Sequence, residues 1–213
     1  MKLSSQQVET YERDGVVEVG RLLDDDTLQQ AREHLEALRE KNVMDNPSHD
    51  PDRVSVRLLM ASTFDPWFMD HIVKRDSVLD VAESVLGPNI QYFQDNVFYK
   101  PAGKGSHTQW HQDNTWWNAD PPNMLTIWIA LDDVSLENGA VHYIRGSHHA
   151  LVPGEKHVDD VKGFSYKMLD DSQIDESQAI SFKVPAGYAV MHHCLTIHGA
   201  PPNNSDRPRR GYT

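Results

Sequence analysis

Trp110-His111-Gln112-Asp113 is the stretch on which the reading of this chain turns. His111 and Asp113 are two residues apart, and on an extended strand positions i and i+2 point to one face. An imidazole and a carboxylate on one face make half of a metal site. A second imidazole on a neighbouring strand, for which His198 is the candidate, completes a set of two His and one carboxylate. Such a facial set leaves coordination positions open for small ligands. With twelve histidines in the chain a bare His-x-Asp also arises by chance, and the plain alternative is a surface histidine beside a polar loop. The decision therefore rests on the surroundings.

Downstream of residue 89 the chain breaks into short apolar runs separated by turn signals. Residues 90–99 are aromatic-rich and strand-like, and Pro101-Ala102-Gly103-Lys104-Gly105 is a turn. Residues 125–131 and 141–144 read as strands on either side of the Glu137-Asn138-Gly139 turn. Residues 179–184 and 188–192 flank Pro185-Ala186-Gly187 in the same way. Many short strands with Gly, Pro and Asn turns predict a double-sheet barrel of the jelly-roll, cupin-like kind.

Upstream the period changes. Ser4 and Ser5 head a short helix that ends at Asp14-Gly15, and Val16, Val17 and Val19 form a strand. Asp26 and Gln29 form a capping-box pair for an amphipathic helix carrying Leu28, Ala31, Leu35 and Leu38 and running to Lys41. The Asp24-Asp25-Asp26 run is read as a helix cap rather than a metal cluster. Residues 54–59 read as a strand, and 67–74 and 77–86 as helices, the last stopped by Gly87-Pro88. The expectation is a single domain over 1–213, mainly β with flanking helices: a mostly helical part at 1–88 and a jelly-roll core at 89–213.

A net charge of −12 argues against a nucleic-acid partner, because a phosphate-tracking surface needs surplus Lys and Arg. One cysteine, Cys194, excludes an intramolecular disulfide and a Cys-based zinc site, and fits a reducing, cytoplasmic setting. The N-terminus has no signal-peptide pattern, and no apolar run reaches the ~18 residues of a membrane span. A small-molecule substrate is the expected partner.

Arg209 lies eleven residues after His198. A planar guanidinium holds a carboxylate bidentately, which suits a 2-oxo acid co-substrate, although with Arg207 and Arg210 it also reads as a solvated basic tail. The order of the pieces is specific. YKPAGKGSHTQWHQD (99–113), LTIWIALDDVSLENGAVHYIRGSH (125–148) and VPAGYAVMHHCLTIHGAPPNNSDRPRR (184–210), with YERDGVVEVGRLLDDDTL (11–28), resemble the phytanoyl-CoA dioxygenase family of Fe(II)/2-oxoglutarate oxygenases.

The resemblance implies a double-stranded β-helix core. It implies His111, Asp113 and His198 as iron ligands and Arg209 as the grip on the distal carboxylate of 2-oxoglutarate. It places Trp128 and Thr108 in the co-substrate pocket, with Tyr99 and Gln94 on the preceding strand. It implies Fe(II), 2-oxoglutarate and O2 as cofactor and co-substrates, and hydroxylation of a C–H bond with succinate and CO2 as co-products. Halogenating relatives carry a small residue where Asp113 stands, so hydroxylation is the expected outcome. Three departures stand out. Arg145 replaces a Pro before Gly-Ser-His, and Ala200 replaces a Ser two residues after His198. The chain also stops at Thr213 as a strand after Arg209 is forming, which reads as a truncated barrel edge. A cupin-like metalloenzyme without 2-oxoglutarate, or a non-catalytic ligand-binding barrel, remains open.

For the substrate pocket the candidates are Trp116, Trp117, His107, His142 and His193. Alternation sends one of His192 and His193 inward and the other outward. Lys100 and Lys104 read as a solvated loop. Residues 42–63, 114–123 and 150–178 are the loops expected to set specificity.

Overall fold

The apolar alternation of the second half closes into two facing antiparallel sheets. The computed structural model describes residues 1–44, 54, 56–152, 155–159, 164–169, 172 and 174–213. The larger sheet has six strands. Its members are β1 (Val16–Arg21), β2 (Val56–Leu59), β3 (Asn96–Lys100), β5 (Leu125–Ala130), β10 (Tyr188–His193) and β12 (Arg209–Tyr212). Their order across the sheet is β1-β10-β5-β12-β3-β2. The smaller sheet runs β4-β11-β6-β9, from β4 (Thr108–His111), β6 (His142–Ile144), β9 (Ala179–Ser181) and β11 (His198–Ala200). A two-stranded ladder, β7 (Glu155–Asp159) with β8 (Phe164–Met168), stands apart. This is the jelly roll expected from the strand pattern.

Helices α1 (Ser5–Asp14), α2 (Asp25–Glu40) and α4 (Asp76–Leu86) cover one face of the larger sheet. Ser4 caps α1 in a reciprocal box with Gln7. The N-cap of α2 is Asp24, whose carboxylate accepts from the Thr27 N–H at 2.8 Å, so the helix starts earlier than the Asp26/Gln29 pairing predicts. Leu28, Ala31, Leu35 and Leu38 bury the α2 stripe against Leu58, Val97, Ile129 and Tyr212. The helix expected at 67–74 is shorter and wider, a π-helical turn at Met69–Val73. A one-turn helix, α3 (Ala61–Phe64), follows β2.

Strand alternation sorts each residue to the helix side or the barrel interior. In β12, Tyr212 stacks on Phe68 and Arg210 pairs with Asp132 and Glu36, so these two face the helices. Arg209 and Gly211 therefore face inward. Val16, Trp128, Ala130, Tyr143 and Val190 form the core between the sheets. The strand after Arg209, expected as a cut edge, is an interior strand paired to β3 on one side and β5 on the other. Among the described residues no helix is long and apolar enough to cross a membrane.

Candidate metal and co-substrate site

Three ligand-type side chains meet at the barrel interior. His111 ends β4, His198 begins β11, and the two are direct partners in the antiparallel register. Asp113 lies two residues past the end of β4, directly ahead of the short helix α5 (Asn114–Trp117). Asp113 Oδ1 lies 3.8 Å from His111 Nε2 and 3.6 Å from His198 Nε2. One ligand atom from each of the three residues falls within 4.8 Å of the others. Among the described residues this is the one cluster with metal-site geometry.

Backbone carbonyls aim both imidazoles. His111 Nδ1 donates to the Gln109 carbonyl at 2.7 Å, and His198 Nδ1 to the Thr196 carbonyl at 2.9 Å. Each bond fixes the tautomer that leaves the Nε2 lone pair pointing at the shared centre, as in metal-binding histidines generally. Burial lowers the pKa of both imidazoles, which favours the neutral, ligating form. Burial alone would raise the Asp113 carboxyl, but the facing His198, the hydrogen bond from His192 and the field of His111 outweigh it and hold it below the usual carboxylate range.

The second oxygen of Asp113 is already engaged. Oδ2 accepts from Thr126 Oγ1 at 2.9 Å and from His192 Nε2 at 3.1 Å. Two neutral imidazoles and one free carboxylate oxygen, aimed by these contacts, are the donor set of a facial Fe(II) site.

Arg209 faces the same interior from β12. Arg209 is 2% exposed, and its pKa is pulled down to about 10 by burial. One of its N–H groups donates to the Gly139 carbonyl at 2.7 Å, while Nε is buried with no hydrogen-bond partner. No carboxylate among the described residues forms an ion pair with it. A buried guanidinium with spare donors is costly unless an anion completes it, so the site fits a ligand carboxylate. The Trp128 ring packs against Arg209, with Cζ 5.4 Å from the ring centroid. Gly211 leaves the space the indole occupies: a Cβ there would stand 2.2 Å from the ring.

Thr108 is paired with Ala200 although it lies three residues before His111. Strict alternation would send it to the opposite face. A bulge in β4 absorbs one residue and returns Thr108 to the face of His111. Trp116 stands edge-on to His111 at 4.9 Å between centroids and is 38% exposed, so it screens the ligand at the rim. Trp117 is half-buried and meets Phe93 edge to face at 5.6 Å. Gln94 is half-buried, two residues before β3.

Four expected site residues lie elsewhere. Tyr99 faces the helices under Arg39, because its neighbour Lys100 takes the inward position. His193 points to the helix side, near Tyr11 and His148, and His192 takes the inward place beside Asp113. His142 sits on the outer face of the smaller sheet near Trp110, since Tyr143 holds the inner position opposite His198. His107 is exposed ahead of β4. Lys100 is not solvated: it is 2% exposed, and its ammonium donates to the Ala200 and Pro201 carbonyls. Burial, then the neighbouring Arg209, pushes its pKa well below the usual lysine value. Residues 42–63 and 150–178, expected to set specificity, lie partly outside the described residues.

A hollow of about 470 Å³ opens over α2, lined by Gln29, Arg32, Glu33, Glu36, Ala37, Glu40 and Arg210. It is on the opposite side of the larger sheet from the triad. Its arginines are already paired with Asp132 and Glu36, so it is not the reactive centre.

Residues 11–211 match the family described as phytanoyl-CoA dioxygenase (PhyH). The chain belongs to this family. It is 30% identical over 145 residues to a probable alpha-ketoglutarate-dependent hypophosphite dioxygenase of Stutzerimonas stutzeri, covering 67% of this chain and 50% of that protein. It is 29% identical over 231 aligned positions to an L-proline trans-4-hydroxylase of Streptomyces griseoviridis, covering 94% of this chain and 81% of the relative. The chain thus spans half the length of the first and most of the second. In fold it matches the crystal structure of the non-heme alpha ketoglutarate dependent carbocyclase SnoK from nogalamycin biosynthesis. That match has a TM-score of 0.82 at 24% identity, over 99% of this chain and 82% of the other.

Proposed function

We propose that this chain is an Fe(II)- and 2-oxoglutarate-dependent dioxygenase that hydroxylates a C–H bond of a small molecule. The overall reaction converts substrate, 2-oxoglutarate and O2 to the alcohol, succinate and CO2. The observation that carries this reading is the pairing, inside one barrel, of the His111-Asp113-His198 cluster with a buried Arg209 that no carboxylate among the described residues pairs with. Family membership and relatives named for alpha-ketoglutarate-dependent oxygenation support it.

In this reading the two imidazoles and Asp113 Oδ1 hold the metal from one side. Arg209 grips the distal carboxylate of the co-substrate, with Trp128 as a wall and Thr108 beside it. Bound iron supplies the activation of O2 coupled to oxidative decarboxylation of the co-substrate. The protein fixes positions: Thr126 and His192 hold Asp113, and Trp116 narrows access from solvent. Retention of Asp113 keeps all three protein ligands, which favours hydroxylation.

We treat residues 1–213 as one oxygenase domain, because β1 and β2 from the first part of the chain are strands of the larger sheet. The sole cysteine is buried, which accords with a cytoplasmic setting. The substrate is read as a small polar metabolite, in line with relatives named for proline and ectoine.

The test is a panel of small metabolites incubated with the Fe(II)-loaded protein, 2-oxoglutarate and O2. The expected result is one compound that gains an oxygen atom with matching succinate release. Succinate-free conversion of a compound by the metal-loaded protein would instead place it among metalloenzymes that do not use 2-oxoglutarate.

A further inference from the structure

In Trp110-His111-Gln112-Asp113, the first and third side chains turn away from the metal cluster. Gln112 is fully buried, and its side-chain amide makes three hydrogen bonds. Nε2 donates to the Leu195 carbonyl at 2.6 Å and to the Ala150 carbonyl at 2.8 Å, and Oε1 accepts from the Val152 N–H at 2.9 Å. Only one orientation of the amide satisfies all three, because a flipped amide would set N–H against N–H and oxygen against carbonyl oxygen. The backbone carbonyl of Gln112 also accepts from the N–H and the hydroxyl of Thr115 in α5.

Ala150 and Val152 open the 150–178 segment, and Trp110 holds its other end. The Trp110 carbonyl accepts from the Leu169 N–H at 3.0 Å, and its indole Nε1 donates to Glu176 Oε1 at 3.2 Å. The ring packs with Leu169, Ile197, Val152 and Ile174. Both ends of the segment are thus drawn together on the side of β4 away from the triad. Between them, β8 lies against β4 and α5, the helix that carries Trp116 and Trp117. Two of the four side chains face the metal cluster and two hold the segment, on one shared backbone. Fixing either face restricts the other, so ordering on one side favours ordering on the other.

We propose that Gln112 and Trp110 are positioning residues that register the 150–178 segment on the metal centre. Metal binding by the triad and the seating of the segment's two ends then stabilise each other. The segment is one of those expected to set specificity, and through α5 it meets the aromatic rim beside His111. The proposal rests on the metal-binding part of the reading above and is independent of 2-oxoglutarate.

The experiment is hydrogen–deuterium exchange of the metal-free and Co(II)-saturated proteins, read by mass spectrometry without co-substrate. Wild type is compared with Gln112→Met, which keeps the chain length and removes the amide. A second variant, Trp110→Phe, keeps an aromatic ring and removes the N–H. In wild type, Co(II) should slow exchange in the peptides that contain Val152, Leu169 and Glu176. Gln112→Met should lose about tenfold of that slowing at Val152, the scale of one hydrogen bond. It should keep the slowing at Leu169, which is held by a backbone carbonyl. Trp110→Phe should lose slowing around Glu176 and keep it at Val152; if Gln112→Met does not fold, this variant alone decides. Variants that keep the full Co(II)-dependent slowing would overturn the proposal. Loss spread evenly over the whole chain would overturn it too, by reducing both residues to core packing. Wild type that binds Co(II) with no slowing at these peptides sinks the proposal alone, whereas wild type that binds no Co(II) sinks the metal reading with it.

Discussion

His192 Nε2 stands 3.1 Å from Asp113 Oδ2, while the other oxygen, Oδ1, is the one that approaches His111 and His198. With Thr126 on the same oxygen, this contact leaves only Oδ1 to meet a metal. Partners of this kind change metal affinity by roughly ten- to a hundredfold when removed. His192→Phe should weaken Co(II) binding by about that factor. His192→Gln, which keeps an N–H donor, should recover part of it. Titration followed by the cobalt visible spectrum checks both; equal affinity in all three proteins would remove His192 from the site's support.

Arg209 carries a cost that its ligand relieves. The guanidinium is buried and no carboxylate among the described residues pairs with it, so its charge is costly in the ligand-free protein. Arg209→Met should leave the melting temperature of the ligand-free protein no lower than wild type. It should also abolish the upward shift that 2-oxoglutarate gives the wild type. Scanning calorimetry with and without the co-substrate separates the two effects. A variant that kept the ligand-induced shift would show that Arg209 does not hold the carboxylate.

What the sequence made readable, and what it hid, follows from parity. His111 and Asp113 flank one residue, so their pairing was legible from spacing, while His198 was singled out among the other histidines by the family resemblance. Alternation assigns two faces but does not say which one is the interior. The expected Tyr99 and His193 therefore face outward, and their neighbours Lys100 and His192 take the inward places one residue away. By the same one-residue step His142 faces outward and Tyr143 inward. Thr108 shows the converse: simple alternation would have excluded it, and only the bulge in β4 brings it to the His111 face. The alternating burial of Val17, Val19, Ala189 and Met191 against the helices shows the parity once the sheet is assembled. The sequence alone lacked that reference.

Gly211 and Trp128 form a pair in which one residue's absence of a side chain makes room for the other. A Cβ at position 211 would lie 2.2 Å from the indole, so the ring must move. Gly211→Ala should cost about 1–3 kcal/mol, the range for overpacking a filled interior. It should also weaken 2-oxoglutarate binding, because Trp128 lies against Arg209. Chemical denaturation and co-substrate titration measure the two; a stable variant with normal affinity would contradict the packing account.

His193 gives the protein a pH-sensitive point away from the triad. Burial, then His148, His192 and His149, lowers its pKa to about 4 in the folded chain. Tyr11 and Cys194 also face it. The unfolded chain takes up this proton near the ordinary value of about 6.5. Between those two values the unfolded state binds more protons, so stability falls as pH drops from about 6.5 towards 4. The fall is moderated because the ring is only half-buried. His193→Gln should flatten that part of the profile, measured as denaturation midpoints at several pH values. An unchanged slope would assign the acid sensitivity to other groups.

The most direct measurement follows 2-oxoglutarate in the absence of any substrate. Wild type, loaded with Fe(II) and exposed to O2, should release succinate and CO2 in equal amounts. Release should stop when Fe(II), O2 or Asp113 (as Asp113→Ala) is withdrawn. Wild-type protein that is folded and holds Fe(II) and 2-oxoglutarate, yet forms no succinate under O2, would contradict the account.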